Sequence, residues 1–243
     1  SYWDELNSLP PDLQRAWVEG DWNIFEGQAF GQFRRERHVI APRVIPAHWP
    51  KWRSIDWGYA KPFCCLWLTK DPDIGRQFAY RELYQAGLTD REQARTIREL
   101  TLKGEEIQYT YADPSMWARK NMDNKVTTTA DEYRDEGVVL TKADNDRLSG
   151  KRKIDRLLSN LPDGLPGLQI YETCPNLIRT LQALPYSKIN IEDIDTDAED
   201  HPYDTLRYGQ TREVEAPPPQ SPPRTNPMAG ISFTGRTNDR LRR

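Results

Sequence analysis

Aromatic and aliphatic residues cluster in three closely spaced segments in the first half of the chain. The segments are Arg53–Gly58, Phe63–Thr69 and Gln77–Tyr84, and short turn sequences containing proline separate them. Runs of this length and composition, bounded by turn residues, are typical of β-strands. Their close spacing predicts an antiparallel meander of three strands.

A helical pattern follows this meander. Thr89 and Glu92 have the spacing of a capping box, in which each residue satisfies a backbone amide of the first helical turn. Ala94 and Ile97 then recur on one face, and Gly104 marks the expected end of the helix.

The second half of the chain alternates strands with helices. The pattern predicts strands at Ile107–Ala112, Val138–Lys142 and Leu168–Tyr171, and helices at Thr129–Glu136 and in the amphipathic runs that contain Ile154 and Leu177. A meander followed by such alternation predicts an α/β fold with a mixed sheet and helices on both faces. This is the element order of the RNase H-like (resolvase/integrase-type) fold.

The two ends of the chain lack such periodicity. Residues 1–50 are rich in tryptophan and proline and are interpreted as a linker arm, with a small helical subdomain around Asp12–Gly20 as the alternative. Residues 211–243 carry six prolines between 217 and 227 and end in arginines, a composition that does not favour a core of its own. The folded domain is therefore expected at 51–210.

Composition narrows the class of protein. Hydrophobic residues make up 37% of the chain, and no run of apolar residues is long enough for a membrane span or a signal peptide. We therefore expect a soluble, intracellular protein. The three cysteines, Cys64, Cys65 and Cys174, lack Cys-x-x-Cys spacing and are interpreted as packing residues.

The charge is unevenly distributed, although the net value is only -3. Residues 192–204 contain seven acidic residues and no Lys or Arg, whereas residues 142–156 contain six basic residues against three acidic ones. A concentrated acidic segment suits a metal site, and a concentrated basic one suits contact with phosphates.

Three aspartates stand where chemistry can be built. Asp56 lies in the first strand between apolar neighbours, where a charge is costly without a partner. Asp113 ends the fourth strand, and Asp204 shares a helix face with His201 on a helix that Asp200 would cap. Carboxylate oxygens suit Mg²⁺ and Mn²⁺, and two such ions can activate water and stabilise the leaving oxygen in phosphodiester cleavage. We interpret Asp56, Asp113 and Asp204 as catalytic metal ligands, with His201 as a further metal neighbour.

Each of these residues also has a structural interpretation. Asp56 could pair with an arginine, Asp113 could form a turn, Asp204 could be a surface helix acid, and His201 could pack at the helix start.

The basic segment supplies the candidate contacts to DNA phosphates. These residues are Arg147, Lys151, Arg152, Lys153 and Arg156. A solvated helix face is the alternative. The chain contains no Gly-x-x-x-x-Gly-Lys-Ser/Thr loop, so it is not expected to be an ATP-driven motor.

The three aspartates stand in short motifs, which are Asp56-Trp57-Gly58, Tyr111-Ala112-Asp113-Pro114 and His201-Pro202-Tyr203-Asp204-Thr205-Leu206-Arg207-Tyr208. Together these motifs resemble the C-terminal nuclease domain of large terminase subunits from tailed bacteriophages. The upstream motifs Leu9-Pro10-Pro11, Gly20-Asp21-Trp22 and Gly27-Gln28-Ala29-Phe30 resemble the segment that joins the packaging ATPase to the nuclease. The family often has alanine where this chain has Thr205.

The resemblance implies an RNase H-like endonuclease that cleaves double-stranded DNA concatemers during viral genome packaging. It implies two Mg²⁺ or Mn²⁺ ions at Asp56, Asp113 and Asp204, and an arm leading to an ATPase domain outside this sequence. The implied partners are double-stranded DNA, a portal protein and a terminase small subunit in the host cell cytoplasm, with no membrane and with a monomeric isolated domain. A junction resolvase or transposase, and a non-catalytic module that docks on DNA or a portal, are the alternatives.

Overall fold

The computed structural model describes residues 27–122, 125–187, 193–195, 198–212 and 214. The remaining residues include those of the proposed tail beyond 214, of the helical alternative around Asp12–Gly20 and of the arm before residue 27, so these predictions lie outside the described residues. No helix within the described residues is long and apolar enough to cross a membrane.

The elements follow one another in the order expected for a mixed α/β fold. They are α1 (Arg35–His38), β1 (Val39–Ile40), β2 (Lys51–Asp56), β3 (Phe63–Lys70), β4 (Gln77–Gln85), α2 (Asp90–Leu100), β5 (Thr110–Ala112), a 3₁₀ turn (Pro114–Trp117), β6 (Lys120–Met122), β7 (Lys125–Thr127), α3 (Thr129–Asp135), β8 (Thr141–Lys142), α4 (Arg147–Leu158), β9 (Leu168–Tyr171), α5 (Pro175–Ala183) and α6 (His201–Tyr208).

Seven of the described strands form one sheet in the order β1-β9-β4-β3-β2-β5-β8. The expected meander is confirmed, because β2 pairs antiparallel with β3, and β3 antiparallel with β4. On one side β5 and then β8 join parallel to β2, and on the other β9 and then β1 join parallel to β4. The strand order places β2 and β5 side by side.

Successive residues of β3 supply the cores on opposite faces of the sheet. Cys64, Leu66 and Leu68 belong to the core beneath α4, α5 and α6, whereas Cys65 and Trp67 belong to the core beneath α2 and α3. This alternation is the period of two of a strand buried on both faces. The expected packing role of the adjacent cysteines is confirmed, and both thiols are free and buried.

Local signals fix where the helices begin. Thr89 and Glu92 form the expected capping box of α2, and Thr128 with Asp131 forms a second one at α3. Helix α2 ends earlier than expected, since Thr101 is its C-cap. Strand β8 is shorter than the predicted Val138–Lys142, because the Val138 amide still donates to the Tyr133 carbonyl oxygen at the end of α3. The hairpin of β6 and β7 was not predicted.

The folded unit begins before residue 51, where the arm was expected to end. Phe30 and Phe33 are buried in the core beneath α4, α5 and α6, β1 pairs with β9, and Trp49 stacks on Phe78 at 5.6 Å between ring centres. At the other end Val214 is also buried, at 3% exposure. Described residues outside 51–210 at both ends therefore belong to the folded unit.

Candidate active site

The parallel pairing of β2 with β5 brings two of the predicted acids together. Ile55 lies opposite Ala112 in the register, and the Asp113 amide donates to the Ile55 carbonyl oxygen at 3.1 Å. Asp56 and Asp113 therefore follow this last pair at the carboxyl ends of adjacent strands. Since neighbouring strands lie about 4.8 Å apart, the two carboxylates share one end of the sheet.

Asp56 is buried, with 6% of its surface exposed. Its Oδ2 lies 2.6 Å from Nδ1 of His201, which can donate a hydrogen bond to it. Burial raises the pKa of Asp56 to about 6; the His201 hydrogen bond opposes this shift, and the charges of Asp204 and Asp113 add to it. The charges of two other acids thus act on Asp56 at this site.

Asp113 has a second role in the backbone. Its side chain accepts from the Ser115 amide at 2.8 Å and from the Ser115 hydroxyl at 2.6 Å, and so caps the 3₁₀ turn that follows β5. The turn-forming alternative therefore describes a real contact. It does not exclude metal binding, because a carboxylate has several lone pairs.

Helix α6 carries the third acid and the histidine to the same end of the sheet. Pro202 lies in its first turn, as expected, and Asp200 is the N-cap residue, although its side chain makes no cap hydrogen bond. The helix meets the sheet closely at its end: an added Cβ on Gly209 would lie 2.5 Å from a Leu68 methyl carbon. Trp52 also donates from its indole nitrogen to the Gly209 carbonyl oxygen at 2.9 Å. These contacts fix α6 across β2 and β3.

The histidine is engaged by Asp56. The hydrogen bond to Asp56 raises the pKa of His201, against the opposing effect of burial. Because Nδ1 faces Asp56, only Nε2 would be free to approach a metal. His201 therefore makes a polar contact with Asp56, a candidate metal ligand, rather than only packing at the helix start.

Two arginines hold Asp204. Arg207, whose side chain is 2% exposed, donates from Nε to Asp204 at 2.9 Å. Arg147 lies 3.6 Å from the other carboxylate oxygen, and also 3.5 Å from Asp193 and 3.9 Å from Asp200. Arg147 is therefore the counter-ion of an acidic group on and before α6.

The carboxylates do not form a closed ligand set in this arrangement. Among the described residues, no three His, Cys, Asp or Glu side chains are grouped closely enough to hold one ion. Asp204 turns to its arginines and Asp113 to Ser115. The donor chemistry still fits a hard divalent cation, because such a charge would stabilise the buried Asp56 carboxylate and its acidic neighbours.

The structure separates the predicted basic residues. Arg147 faces the acids, and Lys151 is 6% exposed, pairs with Asp155 at 2.9 Å and lies over the Phe30 ring. Lys153 donates to the Gln210 carbonyl oxygen at 2.9 Å. Arg152 and Arg156 are exposed. The five residues do not form one DNA-facing surface, because a helical run distributes its side chains around the axis.

One glycine, Gly150, allows helix α4 to approach the acidic residues Asp193, Asp200 and Asp204. An added Cβ on Gly150 would lie 2.4 Å from Cγ of Arg207. The absence of a side chain at Gly150 lets α4 pack directly on α6, which brings Arg147 to the acidic group. The sequence pattern assigned no packing role to Gly150 and no site role to Arg207, although the spacing of three between Asp204 and Arg207 was a usable signal.

Known proteins resemble this chain in structure rather than in sequence. No family model and no curated protein matches the chain, whereas solved structures do. The P22 large terminase nuclease domain aligns with a TM-score of 0.60 at 17% identity, over 76% of this chain and 91% of that one. The large terminase of a thermophilic bacteriophage aligns with a TM-score of 0.61 at 18% identity, over 75% of this chain and 44% of that one. The nuclease domain of the bacteriophage SPP1 large terminase (g2p), solved with bound Mn, aligns with a TM-score of 0.52 at 18% identity, over 70% of this chain and 92% of that one.

This chain has the RNase H-like fold of terminase nuclease domains. The fold class expected from the sequence is therefore confirmed. The chain spans nearly all of the P22 domain but less than half of the terminase from the thermophilic phage. At these identities the likeness concerns the fold, and the function must be argued from the site.

Proposed function

We propose that this chain is a metal-dependent endonuclease domain that cleaves double-stranded DNA during packaging of a phage genome. The observation that carries the proposal is the placement of Asp56 and Asp113 at the ends of adjacent strands, with Asp204 on α6 near enough for its charge to act on Asp56. These three acids come from distant parts of the chain, on a fold that resembles terminase nucleases. Mg²⁺ or Mn²⁺ would be held by these three residues, and two such ions would activate a water and stabilise the leaving oxygen.

The protein's own residues prepare the site for such ions. Burial makes the Asp56 charge costly, so a cation is stabilised there more strongly than at an exposed acid. His201 holds the Asp56 carboxylate in one orientation through its 2.6 Å hydrogen bond. Asp204 would exchange a contact with Arg147 or Arg207 for one with metal.

One observation favours a rival function. The ion pairs of Asp204 with its two arginines are also what a structural acid would make. In that case the domain would be a non-catalytic module that docks on DNA or on a portal protein. The fold alone does not separate a terminase from a junction resolvase or transposase either.

Cleavage of plasmid DNA tests the proposal directly. The purified chain should nick or linearise a supercoiled plasmid with Mn²⁺ or Mg²⁺ and stop in EDTA. Asp56→Ala should abolish cleavage, while Asp73→Ala, an exposed acid in the turn between β3 and β4 at the opposite end of the sheet, should cleave like the wild type. Cleavage in EDTA, or by Asp56→Ala, would exclude the metal mechanism, and no cleavage with either metal would favour the docking module.

A further inference from the structure

A cleft of about 250 Å³ opens beside the candidate active site. It is lined by Lys61, Pro62, Tyr84, Ala198, Glu199 and His201. His201 connects the cleft to the acids, because the same ring that forms one wall is bonded to Asp56. Whatever occupies this space would lie next to the carboxylates that the proposed function assigns to metal binding.

The cleft offers one positive charge to a ligand. Lys61 is exposed, and no carboxylate within the described residues forms an ion pair with it. Its charge is near enough to His201 to oppose the rise in the pKa of that ring. An ammonium held at the edge of a cleft is a suitable contact for a phosphate.

Several contacts to its backbone hold the loop that carries Lys61 in place. Gly58 lies so close to this loop that an added Cβ would be 2.6 Å from the Lys61 carbonyl oxygen. Gln93 donates to the Gly58 carbonyl oxygen at 2.8 Å, and the Gly87 amide donates to that of Tyr59 at 2.9 Å. The backbone position of Lys61 is therefore set by the fold.

The acid in the opposite wall is already neutralised. Arg179 donates to both carboxylate oxygens of Glu199, at 2.6 and 2.7 Å, and the Tyr84 hydroxyl donates as well. Glu199 would thus repel a phosphate far less than an unpaired acid. Pro62, Tyr84 and Ala198 complete the lining with mainly apolar surface, which suits a sugar or a base.

We propose that this cleft binds the nucleotide adjacent to the scissile phosphate, and that Lys61 contacts a phosphate of that DNA strand. The inference rests on the proposed nuclease function, since it takes the three acids as the point of cleavage. It moves the main backbone contact from α4, where Arg147 and Lys151 are occupied, to the loop between β2 and β3.

DNA binding without cleavage tests this assignment. A short fluorescein-labelled duplex is titrated with protein in EDTA at several salt concentrations, and anisotropy gives the Kd. Lys61→Ala should weaken binding several-fold and reduce the slope of log K against log salt by about 0.9, the loss of one phosphate contact. Lys61→Arg should retain the wild-type slope, because it keeps the charge.

A matched control separates this contact from a general effect of charge. Lys103 is also exposed but lies on the loop after α2, toward the opposite end of the sheet, so Lys103→Ala should bind like the wild type. Wild-type affinity for Lys61→Ala, or an equal loss for Lys103→Ala, would overturn the proposal. Failure of the nuclease proposal would instead appear as no cleavage with Mn²⁺, which is measured separately.

Discussion

The burial of Asp56 predicts that the metal-free protein becomes less stable as the pH rises. Its pKa is raised from 3.8 to about 6, chiefly by burial, so the folded state keeps a proton that the unfolded chain releases between these values. Stability must fall with pH wherever the folded state binds more protons. At about 1.4 kcal/mol for each unit of pKa shift, the full loss is about 3 kcal/mol and is nearly complete by pH 7.5. About 2 kcal/mol of it falls between pH 4.5 and 7.5.

Neighbouring groups act in the same direction. Burial, with the Asp204 charge, raises the pKa of Asp200 to about 6, so it too favours the folded state at low pH. The Asp56 hydrogen bond raises the pKa of His201, and that contribution is lost as the pH rises above its ordinary 6.5. Glu199 acts oppositely: Arg179 chiefly lowers its pKa from 4.5 to about 2, so its contribution is lost as the pH falls between these values, mostly below this window.

Asp56→Asn isolates the contribution of the buried carboxylate. Urea denaturation in EDTA gives the free energy of unfolding at about pH 4.5 and about pH 7.5. The wild type should lose stability between these pH values, and the loss in Asp56→Asn should be smaller by about 2 kcal/mol. Asp73→Asn, which alters an exposed acid, should keep the wild-type difference. Mn²⁺ at a hundredfold excess over its Kd should restore about 2.7 kcal/mol to the wild type at pH 7.5 and much less to Asp56→Asn. An Asp56→Asn protein with the full wild-type pH dependence would refute this reasoning.

Two further predictions concern the boundaries of the site and of the domain. Gly58→Ala should lower stability by about 1–3 kcal/mol in thermal melts and weaken DNA binding as Lys61→Ala does, because its Cβ would overlap the following turn. Gly31→Ala is the control: open space surrounds this position, so stability and DNA binding should both stay at the wild-type level. Truncation after Gln210 removes the buried Val214 and should lower the Tm by a few degrees. Truncation after Val214 keeps this residue and should leave the Tm unchanged, so the two truncations together check the boundary.

The regular elements could be predicted because their signals are local. Strand β9 has the bounds that the sequence predicts, Leu168–Tyr171, and α2 begins at the capping box of Thr89 and Glu92. A capping hydrogen bond spans three residues, and strand composition is visible within one segment. Such features need no knowledge of the rest of the chain.

The sequence also indicated where the acids would stand, although not what would surround them. Asp56 and Asp113 could be placed at strand ends, and the order of elements then put these ends side by side. Arg147 lies 57 residues from Asp204, and Lys151 lies 121 residues from the Phe30 ring that covers it. No period or spacing within one segment encodes such contacts.

Tertiary packing alone therefore decided which charges are paired and which face the solvent. Gly150 allows α4 to pack on α6, and this approach directs Arg147 to the acids and buries Lys151. The register of β2 with β3 and the close turn at Gly58 leave Lys61 exposed beside His201. Residue type determines what chemistry a side chain can perform, whereas burial and the nearest charges, which arise only on folding, determine whether it is available to do so.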